Sequence, residues 1–173
     1  MSQGDLPPAD RRFQVAATDP DWNLDDVLAL YADWVDRGEL YHGRRVTIMT
    51  KDSACRINET LRVDHVLEAV RPGHDLYVMG PKQIFSEYVN GILQGAGPTV
   101  HEAADPFTPA EYDGRVLAGP GIDANFAPTF YRFPREGRYE ICWQPGAWRS
   151  NTLVIVVTDP LALPPLSETD RGS

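Results

Sequence analysis

The chain has 173 residues, 42% of them hydrophobic and 24% charged, which suits one domain with its own core and argues against wholesale disorder. Sixteen basic against 25 acidic residues give a formal charge of -9, a surface that repels phosphate backbones and anionic headgroups, so neither nucleic acid nor membrane is an expected partner. No apolar run reaches the length of a membrane span. The opening Met-Ser-Gln-Gly-Asp lacks the charged and apolar regions of a secretory signal, so the expected location is cytoplasmic. Lys51 and Lys82 are the only lysines, and such an arginine bias suits a GC-rich bacterial genome.

In chain order, residues 1–12 are polar and Pro-containing and read as a flexible tail. The segment 13–44 holds one helix, expected from about Leu24 to Arg37. There Leu24, Val27, Leu28, Tyr31, Trp34 and Val35 form one apolar stripe. Asp21 or Asn23 can cap its start, Asp25 and Asp26 suit the positive end of its dipole, and Gly38 supplies a stop. Asp19-Pro20-Asp21-Trp22-Asn23 begins like a calcium loop, but Leu24 and Leu30 stand where such a loop needs Gly and Glu.

From residue 45 the period changes to two, and a β-domain is expected over 45–158. Val46–Lys51 reads as a strand. In Leu61–Val70, Leu61, Val63, His65, Leu67 and Ala69 share one face, with Arg62, Asp64 and Glu68 opposite. Asp75–Met79 follows a Pro-Gly turn. Residues 83–93 fit a helix through Ile84, Tyr88 and Ile92, but Asn90-Gly91 is a hairpin signal and the strand reading is preferred. Residues 94–112 form a long loop. Arg115–Ala118, Thr129–Phe133, Arg138–Trp143 and Asn151–Thr158 are strand-like, the last an apolar run expected to be buried on both faces. Residues 159–173 form a second Pro-containing tail.

Seven or eight short strands behind one amphipathic helix predict a mainly β protein. The stretch Gly137-Arg138-Tyr139-Glu140-Ile141, answered by Ser150-Asn151-Thr152-Leu153-Val154-Ile155-Val156-Val157, resembles the closing hairpin of immunoglobulin-like bacterial β-sandwiches. Thr47–Val66 looks like the opening pair of that fold. The resemblance implies an antiparallel Ig-like sandwich and says nothing of activity. One departure from it removes the expectation of the usual inter-sheet disulfide: Ile141 stands where true immunoglobulin domains carry the cysteine and Cys142 points the other way, which leaves a Cys55–Cys142 bond as the minor alternative. In that setting the stripe Leu24–Val35 either covers an edge or open face of a sheet or pairs with its twin in a homodimer.

Candidate chemistry is sparse. His65 lies on an apolar strand face, either as a core histidine bonded to a carbonyl or as a general acid/base, with Asp123 as the candidate orienting carboxylate. The loop 119–128 offers Asp123 and Asn125 for recognition, or merely for capping its own turn. Tyr131 and Trp148 supply aromatic contact surface, and Trp148, in a Pro-Gly-Ala-Trp turn, is expected to be exposed. Cys142 lacks the following His and Met of a copper site. His101-Glu102-Ala103-Ala104-Asp105 lacks the helical length and third ligand of a zinc site. No metal and no cofactor are expected.

The leading functional reading is a non-catalytic binding module. It would recognise a protein partner or small ligand through the loops at 95–112, 119–128 and 145–150, with Asn125, Tyr131 and Trp148 as contacts. The rival is a small cofactor-independent enzyme, a lyase, isomerase or cyclase, using His65 and Asp123 in an apolar cavity.

Overall fold

A computed structural model describes residues 23–78, 82–94, 106–108 and 114–159. Residues 1–12 and 160–173 of the expected tails, Asp21, the 19–22 part of the calcium-like stretch, and residues 95–105 and 109–112 of the expected long loop, His101–Asp105 included, lie outside the described residues.

Helix α1 spans Leu24–Asp33, its N-terminus capped by the Asn23 side chain, which accepts from the Asp25 N–H at 2.8 Å. It ends earlier than the apolar stripe suggests, at Trp34 rather than Gly38. The reason is Arg37, whose guanidinium donates to the carbonyls of Tyr31 at 2.7 Å and Trp34 at 3.0 Å, satisfying the helix end that a glycine motif otherwise serves. Gly38 has a different duty. A Cβ there would lie 1.9 Å from the Val46 carbonyl oxygen, so only glycine permits this close passage of backbone over the sheet.

The strands that follow are β1 Arg44–Met49, β2 Ala54–Arg56, β3 Leu61–Ala69, β4 Leu76–Val78, β5 Glu87–Val89 and β6 Ile92–Leu93. Then come β7 Arg115–Leu117, β8 Gly121–Asp123, β9 Thr129–Tyr131, β10 Gly137–Trp143 and β11 Thr152–Thr158. The described residues thus form a mainly β structure with one helix and more, shorter strands than the expected seven or eight. Those missed, β2 and β8, are three residues each, too short to display a period.

One sheet runs β1-β3-β8, with β9 also paired to β3; a second runs β2-β11-β10-β5-β6; β4 and β7 pair separately. All pairings are antiparallel except β2 with β11. The two larger sheets share one core. Val46, Ile48, Val63 and Leu67 from the first meet Val89, Ile141, Trp143, Leu153 and Ile155 from the second. The hairpin signal at Asn90-Gly91 is realised, with φ of 50° and 79° at those two residues, as a two-residue turn between β5 and β6 requires.

Burial corrects one strand. The β11 run alternates, and Val156 is 47% exposed, because β11 packs on the core with one face only. It is β3 that is closed on both faces. Its inner face enters the shared core, and its outer face at Val66 lies beneath α1 in a second cluster of Val27, Tyr31, Met49 and Ala124. The amphipathic stripe therefore meets the open face of the first sheet.

Strand β2 stands at the outer edge of the second sheet. Its Arg56 is covered by the turn that follows, the N–H donating to Glu59 Oε1 at 2.9 Å and the carbonyl accepting from the Glu59 N–H at 3.1 Å.

Candidate functional site

Among the described residues, one interior and one open place bear most directly on function. The interior one begins with His65 at the middle of β3, opposite Ile48 and on the face that enters the core. From the other sheet, β5 presents Glu87, and from β9 come Thr129 and Tyr131. His65 Nε2 and Glu87 Oε2 lie 2.5 Å apart, the Thr129 hydroxyl donates to Glu87 Oε1 at 2.6 Å, and the Tyr131 hydroxyl donates to the same oxygen. His65, Glu87 and Tyr131 are at most 1% exposed. Trp143 closes the ring from the side, edge to face with His65 at 4.9 Å, and donates its Nε1–H to the Phe85 carbonyl at 3.0 Å.

The network fixes its own protonation pattern. Burial alone would push the Glu87 carboxyl up, but the His65 charge and the bonds from His65, Thr129 and Tyr131 outweigh it and hold Glu87 below the ordinary value. Burial and the Glu87 charge push the Tyr131 phenol well above its ordinary value, so it stays a donor. A carboxylate only accepts, so His65 Nε2 carries the hydrogen it shares with Glu87. The other ring nitrogen, Nδ1, is buried and has no hydrogen-bond partner.

The carboxylate beside His65 is thus Glu87, and the expected partner Asp123 is engaged elsewhere. Asp123 Oδ2 accepts from Lys82 Nζ at 2.9 Å, and its Oδ1 accepts the Asn125 N–H at 2.9 Å. Asp123 caps its own turn, and it sits on β8 opposite Leu67 rather than opposite His65. Asn125 stays partly exposed at that turn. Tyr131 contributes to the interior network rather than to a contact surface.

Trp148 reverses expectation most clearly. It is 3% exposed and donates its Nε1–H to the carbonyls of Tyr41 at 3.1 Å and Arg44 at 3.2 Å, while its ring meets Tyr41 edge to face and Phe107 at a tilt. The turn folds the indole back on the core because burial of so large an apolar ring outweighs exposure. Cys142 lies outside the core cluster that holds Tyr139, Ile141 and Trp143, yet it is buried rather than at the surface, its thiol beside the Ser150 carbonyl at 3.7 Å. Both cysteines are free.

Glu87 had one indirect signal. With Asn90-Gly91 as the turn, a period of two puts Glu87 on the same inward face as Val89, but a carboxylate on an apolar face carries no marker of its partner.

The open place is a cleft of about 230 Å³ where the β1–β2 connection meets the start of β3. Lys51, Asp52 and Glu59 stand exposed around it, while Asp64 forms part of its wall, 4% exposed and paired with Arg62 Nε at 2.9 Å. Leu61 and Cys55 add apolar wall, and burial together with the Glu59 charge pushes the Cys55 thiol up, away from the reactive thiolate. The cleft can hold a small polar ligand or one side chain of a partner between charges of both signs.

Among the described residues no group of three His, Cys, Asp or Glu side chains is placed to hold a metal ion, and no helix is long and apolar enough to cross a membrane. Comparison with family models, with curated proteins and with solved structures finds no match.

Proposed function

We propose that the chain is a non-catalytic binding module whose recognition site is the cleft lined by Thr50, Lys51, Asp52, Glu59 and Arg62. Its ligand would be a small polar molecule or a charged side chain of a protein partner. One observation carries this reading. The side chains best suited to chemistry or stacking, His65, Tyr131 and Trp148, are engaged in the interior, whereas the cleft presents charged groups of both signs to solvent. The formal charge of -9 supports partners other than nucleic acid or an anionic membrane. Residence in a bacterial cytoplasm belongs to the same proposal, and the two free thiols agree with it.

The immunoglobulin-like architecture is likewise proposed. It is supported by two sheets sharing one core, by the β10–β11 closing hairpin, and by the Tyr139 hydroxyl donating to the Arg135 carbonyl at 2.7 Å, as a corner tyrosine does.

The test is native mass spectrometry on protein purified from its own source without chelators, beside a rim variant carrying Lys51→Glu and Asp52→Lys. Both residues are exposed, so the fold should persist. A ligand or partner retained by the wild type and lost from the variant is the expected result. Equal retention by both would move recognition away from the cleft.

A second reading is supported by the His65–Glu87 pair, since a carboxylate that orients an imidazole is how acid–base dyads are built. The chain would then be a cofactor-independent lyase, isomerase or cyclase, with Glu87 in the orienting role and His65 Nδ1 as the working atom. His65→Gln separates the two readings. It would abolish turnover in the enzyme and leave cleft binding unchanged in the module.

A further inference from the structure

The β5–β6 hairpin is attached to the molecule in two different ways. Within its own sheet it is held by backbone. Two residue pairs join β5 to β6, three join β5 to β10, and the Asn90 side chain accepts from the Glu140 N–H at 2.9 Å. Toward the facing sheet its buried Val89 packs in the shared core, and its polar tie is Glu87, which takes hydrogen bonds from His65 on β3 and from Thr129 and Tyr131 on β9. Among the described residues the hairpin also lies at the edge of its sheet, with no further strand beyond β6.

Every group facing the Glu87 carboxylate is a donor. His65 offers Nε2–H, and Thr129 and Tyr131 offer hydroxyls. A proton added to either carboxylate oxygen removes the negative charge that strengthens all three bonds and makes that oxygen a donor, so a hydroxyl must turn or the His65 hydrogen must move to Nδ1 to receive it in a site closed to water. We propose that Glu87 is an acid-released latch: ionised, it ties the β5–β6 hairpin to the facing sheet; protonated, it frees the hairpin to lift from β3 and β9 while the rest of the fold stays closed.

The titratable groups at this carboxylate are His65 from β3 and Tyr131 from β9; Thr129 and Trp143 complete its surroundings without titrating. Because the folded carboxyl lies below the ordinary glutamate value of 4.5, the latch is fully closed above that value and releases as pH falls through the lower folded one. The inference is independent of the cleft, and its failure would leave the proposed binding site untouched.

Hydrogen exchange followed by mass spectrometry, corrected for the intrinsic pH dependence of exchange, tests it on the full chain. Between the ordinary value of 4.5 and the lower folded one, the β5–β6 amides should lose protection by up to roughly tenfold per pH unit, the limiting slope of one linked proton, and level off below it, while β1 and β3 stay protected. Glu87→Gln should show the open hairpin already at neutral pH and lose the acid dependence. Tyr131→Phe, which removes one bond and keeps the ring, should shift release to higher pH, and it serves if the glutamine variant does not fold. Simultaneous loss of protection in both sheets would overturn the latch, because the carboxylate would then hold the whole fold. Hairpin protection that ignores pH would overturn it as well.

Discussion

Two carboxylates on the two sides of the first sheet have almost the same partners and quite different surroundings. Glu68, on the outer face of β3, accepts from the Tyr31 hydroxyl and from Arg45 Nε at 2.8 Å, with Arg37 at 3.6 Å. Glu87, facing the inner side, accepts from the Tyr131 hydroxyl, Thr129 and His65. Each therefore joins a tyrosine to a basic side chain and ties one layer of the molecule to another. Glu68 and Arg45 keep 16% and 26% of their side-chain surface, whereas the inner pair keeps 1% or less. The contrast teaches that the partner list does not set the worth of a carboxylate; water does. At the outer site water can replace any donor that is lost. At the inner site nothing can, so an orphaned partner bears the full desolvation cost.

The comparison is broken most severely by Glu87→Ala, which strands three donors in the core and should cost about 3–5 kcal/mol in urea unfolding, as for one half of a buried pair. Tyr131→Phe should cost about 2 kcal/mol, the range for a hydrogen bond to a charged acceptor. The same change outside, Tyr31→Phe, should cost about 1 kcal/mol or less. Arg45→Ala should fall within about 1 kcal/mol and shrink further with added salt, since its pair is partly solvated. Equal losses for the two tyrosines would dissolve the distinction between the sites.

pH sharpens it further. The Glu87 contribution is present above the ordinary glutamate value of 4.5 and disappears as pH falls through its lower folded value. The Tyr131 contribution is present below the ordinary tyrosine value of 10.0 and disappears only as pH rises through its higher folded one. The stability difference between wild type and Tyr131→Phe should therefore stay flat across the neutral range and collapse toward both ends. A slope through neutrality would mean that another group controls the network.

How far residues alone led to this arrangement depended on what signalled each feature. Period and turn chemistry are local, so α1, β1, β3, β10, β11 and the Asn90-Gly91 turn could be read directly. The inward face of β3, with His65 in it, was legible for the same reason. The end of α1 was not, because an arginine beyond the helix replaced the expected glycine. Nor was the identity of the carboxylate at His65. Glu87 and Asp123 are both remote in sequence, and only the pairing of β5 with β10 and the meeting of two sheets decides between them. Trp148 misled because a Pro-Gly turn normally projects outward, and its return depends on carbonyls near residues 41–44 that sequence does not place. The cleft left no trace at all, since β2, which forms one wall, is three residues long.

The turn after β2 has a consequence for the molecule in a crowded solution. An unprotected sheet edge is a template on which another chain can add its own strand, and repeated addition is how soluble β proteins turn into fibres. Here the Arg56 N–H and carbonyl that would receive such a strand are already taken by Glu59, and the carboxylate brings a negative charge to the same border. The chain has written its own stop signal beside its edge strand. The cover shortens the stretch of that edge on which another chain could add a strand.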